Sequence, residues 1–351
     1  MKNSHINTAQ DRKLLETIYD QVDNNLNIDP SQFKRAVWTK FVIYFILTTL
    51  SYSLLYLVSS PIWFVLVYLL YGFAALLLAF NFSHDFSHNT VFKSKKLNHF
   101  CFICIYAFVG AHGEAWKERH IKSHHHAPNV EGHDSDLKIS KLIRVIPKSK
   151  HYWFHKYQHI YAPLAYTTYS LFWIFIKDFN ILYSKDDFRK NKGVRYHLSF
   201  WMQKFFYVGI SLVLPMLFSG HAWYVVVFGF LGMHLSQSLF LLFTFFMTHH
   251  VENTLYPTTD ANGKINTSWV MNQIKSSNDM NPFSEATNFI LGGFNCHIAH
   301  HLFPHVHHIH YPKLNKILYE ILNKHGIIPN QTTYFGGITS HLRLLKQMSV
   351  K

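Results

Sequence analysis

The chain has 351 residues, of which 49% are hydrophobic, 17% aromatic and only 15% charged. That balance is too apolar and too aromatic for an average soluble domain. A formal charge of +14 suits anionic lipid headgroups and acidic partners, and it argues against nucleic acid as the partner, because the basic residues flank apolar runs and form no recognisable binding motif.

The first 37 residues are polar and mixed in charge, which predicts a short amphipathic helix and a linker with no evident cleavable signal peptide. From residue 38 to 80 the one charge is Lys40, and Ser59-Ser60-Pro61 breaks the run into two spans. Each is about 20 residues, long enough to cross a bilayer. Residues 100–109 are apolar but too few to cross, so a re-entrant or interfacial helix is expected there. Its Cys101-x-x-Cys104 reads as packing, and with Cys296 it makes no disulfide framework. Residues 151–179 are aromatic and amphipathic and are expected to lie along the membrane interface. A second pair of spans covers residues 200–218 and 222–247, joined by Ser219-Gly220-His221.

The expected fold class is therefore an all-α integral membrane protein, with four transmembrane helices in two hairpins and a cytosolic helical cap. Residues 1–37 form an N-terminal cytosolic segment, 38–312 the membrane domain and 313–351 a C-terminal cytosolic helical tail. There is no internal repeat and no separate soluble domain. Two crossings return the chain to its starting side and two more do so again, so the long polar segments share one side. Those segments carry nearly all of the 33 Lys and Arg, whereas the two short connectors carry none. The positive-inside rule makes the shared side, with both termini, cytoplasmic, at the inner (plasma) membrane if the protein is bacterial.

Eight histidines on that side fall into three clusters: His84 and His88 in H-D-F-S-H, His120, His124 and His125 in H-I-K-S-H-H, and His297, His300 and His301 in H-I-A-H-H. Spacings of three and four residues put two imidazoles on one helical face, from which one helix delivers two nitrogens to one metal. Eight nitrogens are too many for a single four- to six-coordinate ion, so the economical reading is a two-metal centre wrapped by three helical segments. Imidazole suits iron, zinc, copper and nickel. At the ends of membrane helices the natural substrate is a long acyl chain. Breaking its unactivated C–H bonds needs a redox metal and dioxygen, which favours iron over redox-inert zinc.

The motifs N-F-S-H-D-F-S-H, W-K-E-R-H-I-K-S-H-H-H-A-P-N-V-E-G-H-D-S-D and L-G-G-F-N-C-H-I-A-H-H-L-F-P, with H-I-H-Y-P after the last, resemble the membrane fatty acid desaturases. The likeness is to the bacterial acyl-lipid or linoleoyl-CoA desaturase-like branch, related to the front-end enzymes, and extends from about Trp38 to Tyr311. It implies two iron ions ligated by His84, His88, His120, His124, His125, His297, His300 and His301. It also implies a ninth ligand in T-H-H-V-E-N, which aligns best with His249, with His250 adjacent. The implied reaction uses dioxygen and two electrons to set a cis double bond in a long acyl chain carried on a lipid or on CoA. Front-end members commonly have Q-x-E-H-H in the last box, whereas this chain has His297 and Ala299 at the Gln and Glu positions. His297 restores an H-x-x-H-H form and weighs against front-end regiochemistry. No H-P-G-G haem motif of a fused cytochrome b5 domain is present, so a separate ferredoxin or cytochrome b5-like donor is expected on the basic face.

Metal-bound histidines usually donate their other N–H to a carboxylate or carbonyl, which nominates Asp85, Glu118, Asp134, Asp136 and Glu252 as orienting groups. Asn295 is a candidate to hold a metal-bound water. His126 points elsewhere on a helix, and His305, His307, His308 and His310 read as headgroup or structural contacts. The alternative from the same chemistry is a di-iron membrane hydroxylase. A histidine-rich transporter is the alternative from another class, and it would need polar residues along the spans, where the fourth alone offers His234, Ser236, Gln237 and Ser238.

Overall fold

The computed structural model describes residues 5–137, 141–183 and 192–350. They are mostly helical, and four helices are long and apolar enough to cross a membrane: Pro30–Leu54, Pro61–His88, Val194–Phe218 and Trp223–His249. All four expected spans are present, and the first three run further than hydropathy suggests. The second span continues past Phe80 because a π turn, Ala79–Ser83, carries helical hydrogen bonding through Asn81 and Ser83 to His84 and His88. Polar side chains end a hydropathy run without ending a helix.

The described residues form two compact units, neither continuous in sequence. One comprises Ser31–Glu118 and Leu164–Leu242, and holds most of the four spans. Ser60 precedes Pro61 at the start of the second span, where the missing proline N–H costs nothing. Gly220 makes the other connector at φ +75°, a conformation that glycine adopts freely. His221 Nε2 lies 2.8 Å from the Val58 carbonyl, so the two short connectors meet at one end. The spans approach closely at glycine. A Cβ at Gly72 would stand 2.1 Å from Met233 Cγ, and one at Gly229 would stand 2.7 Å from the Tyr68 ring.

In the third span a second π turn, Gly209–Val213, leaves carbonyls free for other partners. Tyr52 donates to Ile210 O at 2.9 Å and Tyr68 to Ser211 O at 2.6 Å. The polar residues of the fourth span are tied off rather than lining a path. His234 lies between Tyr207 OH (2.9 Å) and Ser170 Oγ (2.8 Å), and Gln237 donates to Gly72 O. Lys204 pairs with Asp178 at 2.7 Å and donates to the carbonyls of Gly110 and Ile174, which compensates a charge inside a span. Val42, Ile46, Leu50, Phe205, Leu217 and Phe228 are exposed, as bilayer-facing side chains must be. Trp63, Trp223 and Tyr224 are exposed beside the connectors, where interfacial aromatics belong.

The other unit comprises Met1–Pro30, Arg119–Pro163 and Phe243–Lys351. Its first helix, Ala9–Asn25, starts at Thr8, whose hydroxyl accepts the Asp11 N–H. Leu14, Ile18 and Val22 recur every four residues and form one buried stripe. They share a core with Val270 and Ile274, with Ile298 and Leu302 of the last histidine box, and with Leu314, Leu318 and Leu322 of the helix Tyr311–Lys324. Two parallel two-residue strands, Asp279–Met280 and Gln331–Thr332, pair Asp279 with Gln331. The six-residue helix His297–Leu302 is too short to persist alone and depends on this packing. Just before it, Gly293 has φ +89°, and a Cβ there would stand 2.5 Å from His308 Cβ.

Candidate metal centre

Seven of the nine expected ligands, His120, His124, His125, His249, His297, His300 and His301, belong to the unit that includes Arg119–Pro163 and Phe243–Lys351, and all seven are buried. The middle box is the point where local structure departs from a simple helix. Residues His120–His124 form a π turn, closed by the His125 N–H on the His120 carbonyl at 3.0 Å. In an α-helix a residue five positions on is rotated by about 140°. The wider π turn returns His125 to the side of His120, and their Nε2 atoms lie 3.1 Å apart. The His125 ring is also 4.6 Å, centroid to centroid, from those of His300 and His301.

His124, His249, His297 and His301 each point a ring nitrogen into one place, all within 4.8 Å of one another. His249 Nε2 lies 2.7 Å from His297 Nε2 and 3.2 Å from His301 Nε2, and the latter two are 3.2 Å apart. The opposite edges of three of these rings are anchored. His249 Nδ1 donates to the Ser276 carbonyl (2.8 Å), His301 Nδ1 to Gln273 Oε1 (2.8 Å) and His124 Nδ1 to Asp134 Oδ2 (3.0 Å). A proton held at Nδ1 leaves a lone pair at Nε2. Converging lone pairs at these distances repel unless a cation lies among them. With metal–imidazole bonds of about 2.1 Å, nitrogens at right angles about one ion would be roughly 3.0 Å apart, so the donor set fits a metal that takes neutral imidazole. Burial, with His125 and His297 nearby, also holds the His301 ring well below the ordinary histidine range.

Among the expected orienting acids, Asp134 takes that position. Burial would raise its carboxyl, but the adjoining His124 ring and the N–H groups of Asn129 and Asp136 outweigh burial and hold it below the usual carboxylate range. For His124 burial works downward and Asp134 more strongly upward. Asp136 lies beside the same pair. Glu252 instead binds Ser340 and Gln347, Glu118 pairs with Lys192, and Asp85 accepts from Thr90. His250 does not join the cluster: its Nδ1 is 2.9 Å from Tyr256 OH, and burial pulls it down to about 3. His126 packs edge-on against His5. Asn295 donates to Cys296 Sγ, and its Oδ1 is buried without a partner among the described residues.

Three residues that the sequence did not single out complete the support. Asn129, at φ +60°, donates its amide to the carbonyls of His249, Leu255 and Ser276 and its backbone N–H to Asp134, so it links the anchors of His124 and His249. Gln273 orients His301. Buried Asp279 accepts the Ile298 N–H at 2.9 Å, and Asn315 and Tyr319 at 3.0 Å each, which fixes the start of the last box. Burial raises Asp279 to about 7. An Asn in H-A-P-N-V that stabilises a left-handed turn was the one available sequence signal.

His84 and His88 belong to the unit that includes Ser31–Glu118. They follow the π turn of the second span, their ring centroids are 5.1 Å apart, and Asn89 ends the helix at φ +62°. Cys101 and Cys104 lie on the helix Lys95–Ala107 as free thiols. Cys101 is partly buried and Cys104 exposed, and partial desolvation raises both thiols, which disfavours the reactive thiolate.

The family model for fatty acid desaturases matches residues 60–333. The chain is 29% identical over 287 residues to an sn-1 linoleoyl-lipid 6-desaturase of Arthrospira platensis, covering 80% of this chain and 76% of that protein. It is 27% identical to an acyl-lipid (8-3)-desaturase of Physcomitrium patens, covering 86% of this chain and 64% of the relative. A similarly named protein of Mortierella alpina is 27% identical over 350 residues, covering 97% and 78% respectively.

Proposed function

The chain belongs to the fatty acid desaturase family, and on that premise we propose that it sets a cis double bond in a long acyl chain with two iron ions as resident cofactor. The irons, with dioxygen and two electrons, would supply the oxidation that removes hydrogen from two neighbouring methylenes and forms water. The ligands in this reading are His84, His88, His120, His124, His125, His297, His300 and His301, with His249 as the ninth. The observation that carries it is the convergence of His124, His249, His297 and His301 within 4.8 Å. Asp134, Ser276 and Gln273 hold protons at Nδ1 and so keep the facing nitrogens free to bind metal. His249 is favoured over His250 because the latter is engaged by Tyr256.

The substrate proposed is an acyl group on a glycerolipid rather than on CoA, supported by relatives named linoleoyl-lipid and acyl-lipid desaturases. A separate ferredoxin or cytochrome b5-like protein supplies electrons, and the histidines and both termini lie on the cytoplasmic side by the positive-inside rule. Gas chromatography with mass spectrometry of fatty acids from a heterologous host, beside a His300→Ala control, tests this reading. A new unsaturated species absent from the control is expected. A hydroxylated product would overturn it in favour of a mono-oxygenase.

A further inference from the structure

We propose that residues 141–160 form a binding site for the headgroup of an anionic phospholipid, using none of the histidines of the metal cluster. The proposal rests on the chain's residence in a membrane and not on its chemistry. Between Asp136 and Asp178 the sequence contains no acid, while Lys141, Arg144, Lys148, Lys150 and Lys156 fall within sixteen positions. The fold gathers part of this charge around a cavity of about 370 Å³ lined by Lys141, Arg144, Lys150, Tyr152 and His155, with Glu131 as the acid on its wall.

Two of those residues build the cavity rather than fill it. Arg144 donates to the carbonyls of Ser149 (3.0 Å) and Met348 (2.8 Å), which fastens the loop to the end of the helix Tyr334–Gln347. His155 accepts the Tyr152 N–H and donates to Lys141 O at 2.9 Å. The amines are left for a ligand. Lys141, Lys148 and Lys150 are exposed and have no ion pair among the described residues, and Lys150 Nζ stands 5.2 Å above the Tyr152 ring. Apolar side chains project beside them: Trp153 is 80% exposed, Ile160 67% and Leu142 53%. A dock for a soluble acidic protein would have no use for these. The headgroup layer takes both kinds of residue, phosphate against lysine and the acyl boundary against indole and isoleucine.

The test is retention of phosphatidylglycerol against phosphatidylcholine by the full chain in detergent, read by native mass spectrometry. The wild type is expected to prefer phosphatidylglycerol. At about fivefold per lysine, the triple variant Lys141→Gln/Lys148→Gln/Lys150→Gln should lower that retention by about a hundredfold, and Trp153→Ala should weaken retention of both lipids. The corresponding triple Arg variant should keep the preference, which separates loss of charge from loss of fold. No preference in the wild type, or a preference unchanged in the Gln variant, would overturn the proposal. Displacement of the lipid by millimolar inorganic phosphate would overturn it too, and would assign the cavity to free phosphate.

Discussion

Replacing Asp134 by Asn tests whether the support around His124 governs metal retention. The carboxylate accepts three N–H groups: His124 Nδ1 at 3.0 Å, Asn129 N at 3.0 Å and Asp136 N at 2.9 Å. An amide offers one oxygen and one NH₂, so at least one donor meets a donor, and the charge that strengthens the histidine bond is lost. Hydrogen bonds to charged groups contribute about 1.5–3 kcal/mol, and removing a partner that orients a metal-bound histidine typically costs about 10- to 100-fold in affinity. These agree, since that range corresponds to roughly 1.4–2.7 kcal/mol. Iron retained by purified protein in detergent, titrated with a chelator and read by elemental mass spectrometry, should fall at a 10- to 100-fold lower chelator concentration than in the wild type. Glu252→Gln is the control, since Glu252 binds Ser340 and Gln347 and no histidine of the cluster, and it should titrate like the wild type. An Asp134→Asn midpoint equal to wild type, in a protein with unchanged helicity, would refute the reasoning.

His249→Ala should lose iron and His250→Ala should keep it while melting lower, because the first faces His297 at 2.7 Å and the second removes the ring that bonds the part-buried Tyr256 hydroxyl at 2.9 Å; equal iron loss in both would contradict this. Burial pulls His341 down to about 4, against about 6.5 in an unfolded chain. The folded state therefore binds this proton less well, and the stability it contributes is full above about pH 6.5 and is lost as pH falls towards 4. In His341→Asn, which can still donate to the His250 carbonyl now bonded at 2.7 Å, the difference in melting temperature between pH 7 and pH 5 should shrink; an unchanged difference would exclude the group. Gly72→Leu places side chain where Met233 now lies, with Cβ already 2.1 Å from Met233 Cγ. It should lower the melting temperature by an amount corresponding to about 1–3 kcal/mol, and a neutral effect would show that the two spans can separate there.

The four spans were legible because a bilayer demands long apolar runs, and Ser59-Ser60-Pro61 and Ser219-Gly220-His221 punctuate them in the sequence. Their far ends were not: Asn81, Ser83 and Asp85 look like the end of a span but continue one through a π turn. The same backbone feature explains His125. A period of 3.6 separates it from His120, whereas the π turn at His120–His124 brings the two rings together. The histidine clusters and one support, Asp134, could be read from the sequence, but the other supports could not. Asn129, Gln273 and Asp279 act across separations of 120, 28 and 19 residues, on the His249 carbonyl, the His301 ring and the Ile298 N–H. No local pattern records such contacts. The choice between His249 and His250 was likewise a matter of which ring the helix end turns inward, and that depends on Ser276 and Tyr256 as partners.

The most direct test of the central claim is the metal content of the full chain purified from an iron-replete host, measured for iron and zinc together, beside a His124→Ala/His301→Ala variant. Two irons per chain in the wild type, with loss in the variant and helicity unchanged, are predicted. Stoichiometric zinc, or iron that survives removal of both histidines, would contradict the assignment of these nitrogens to a di-iron centre.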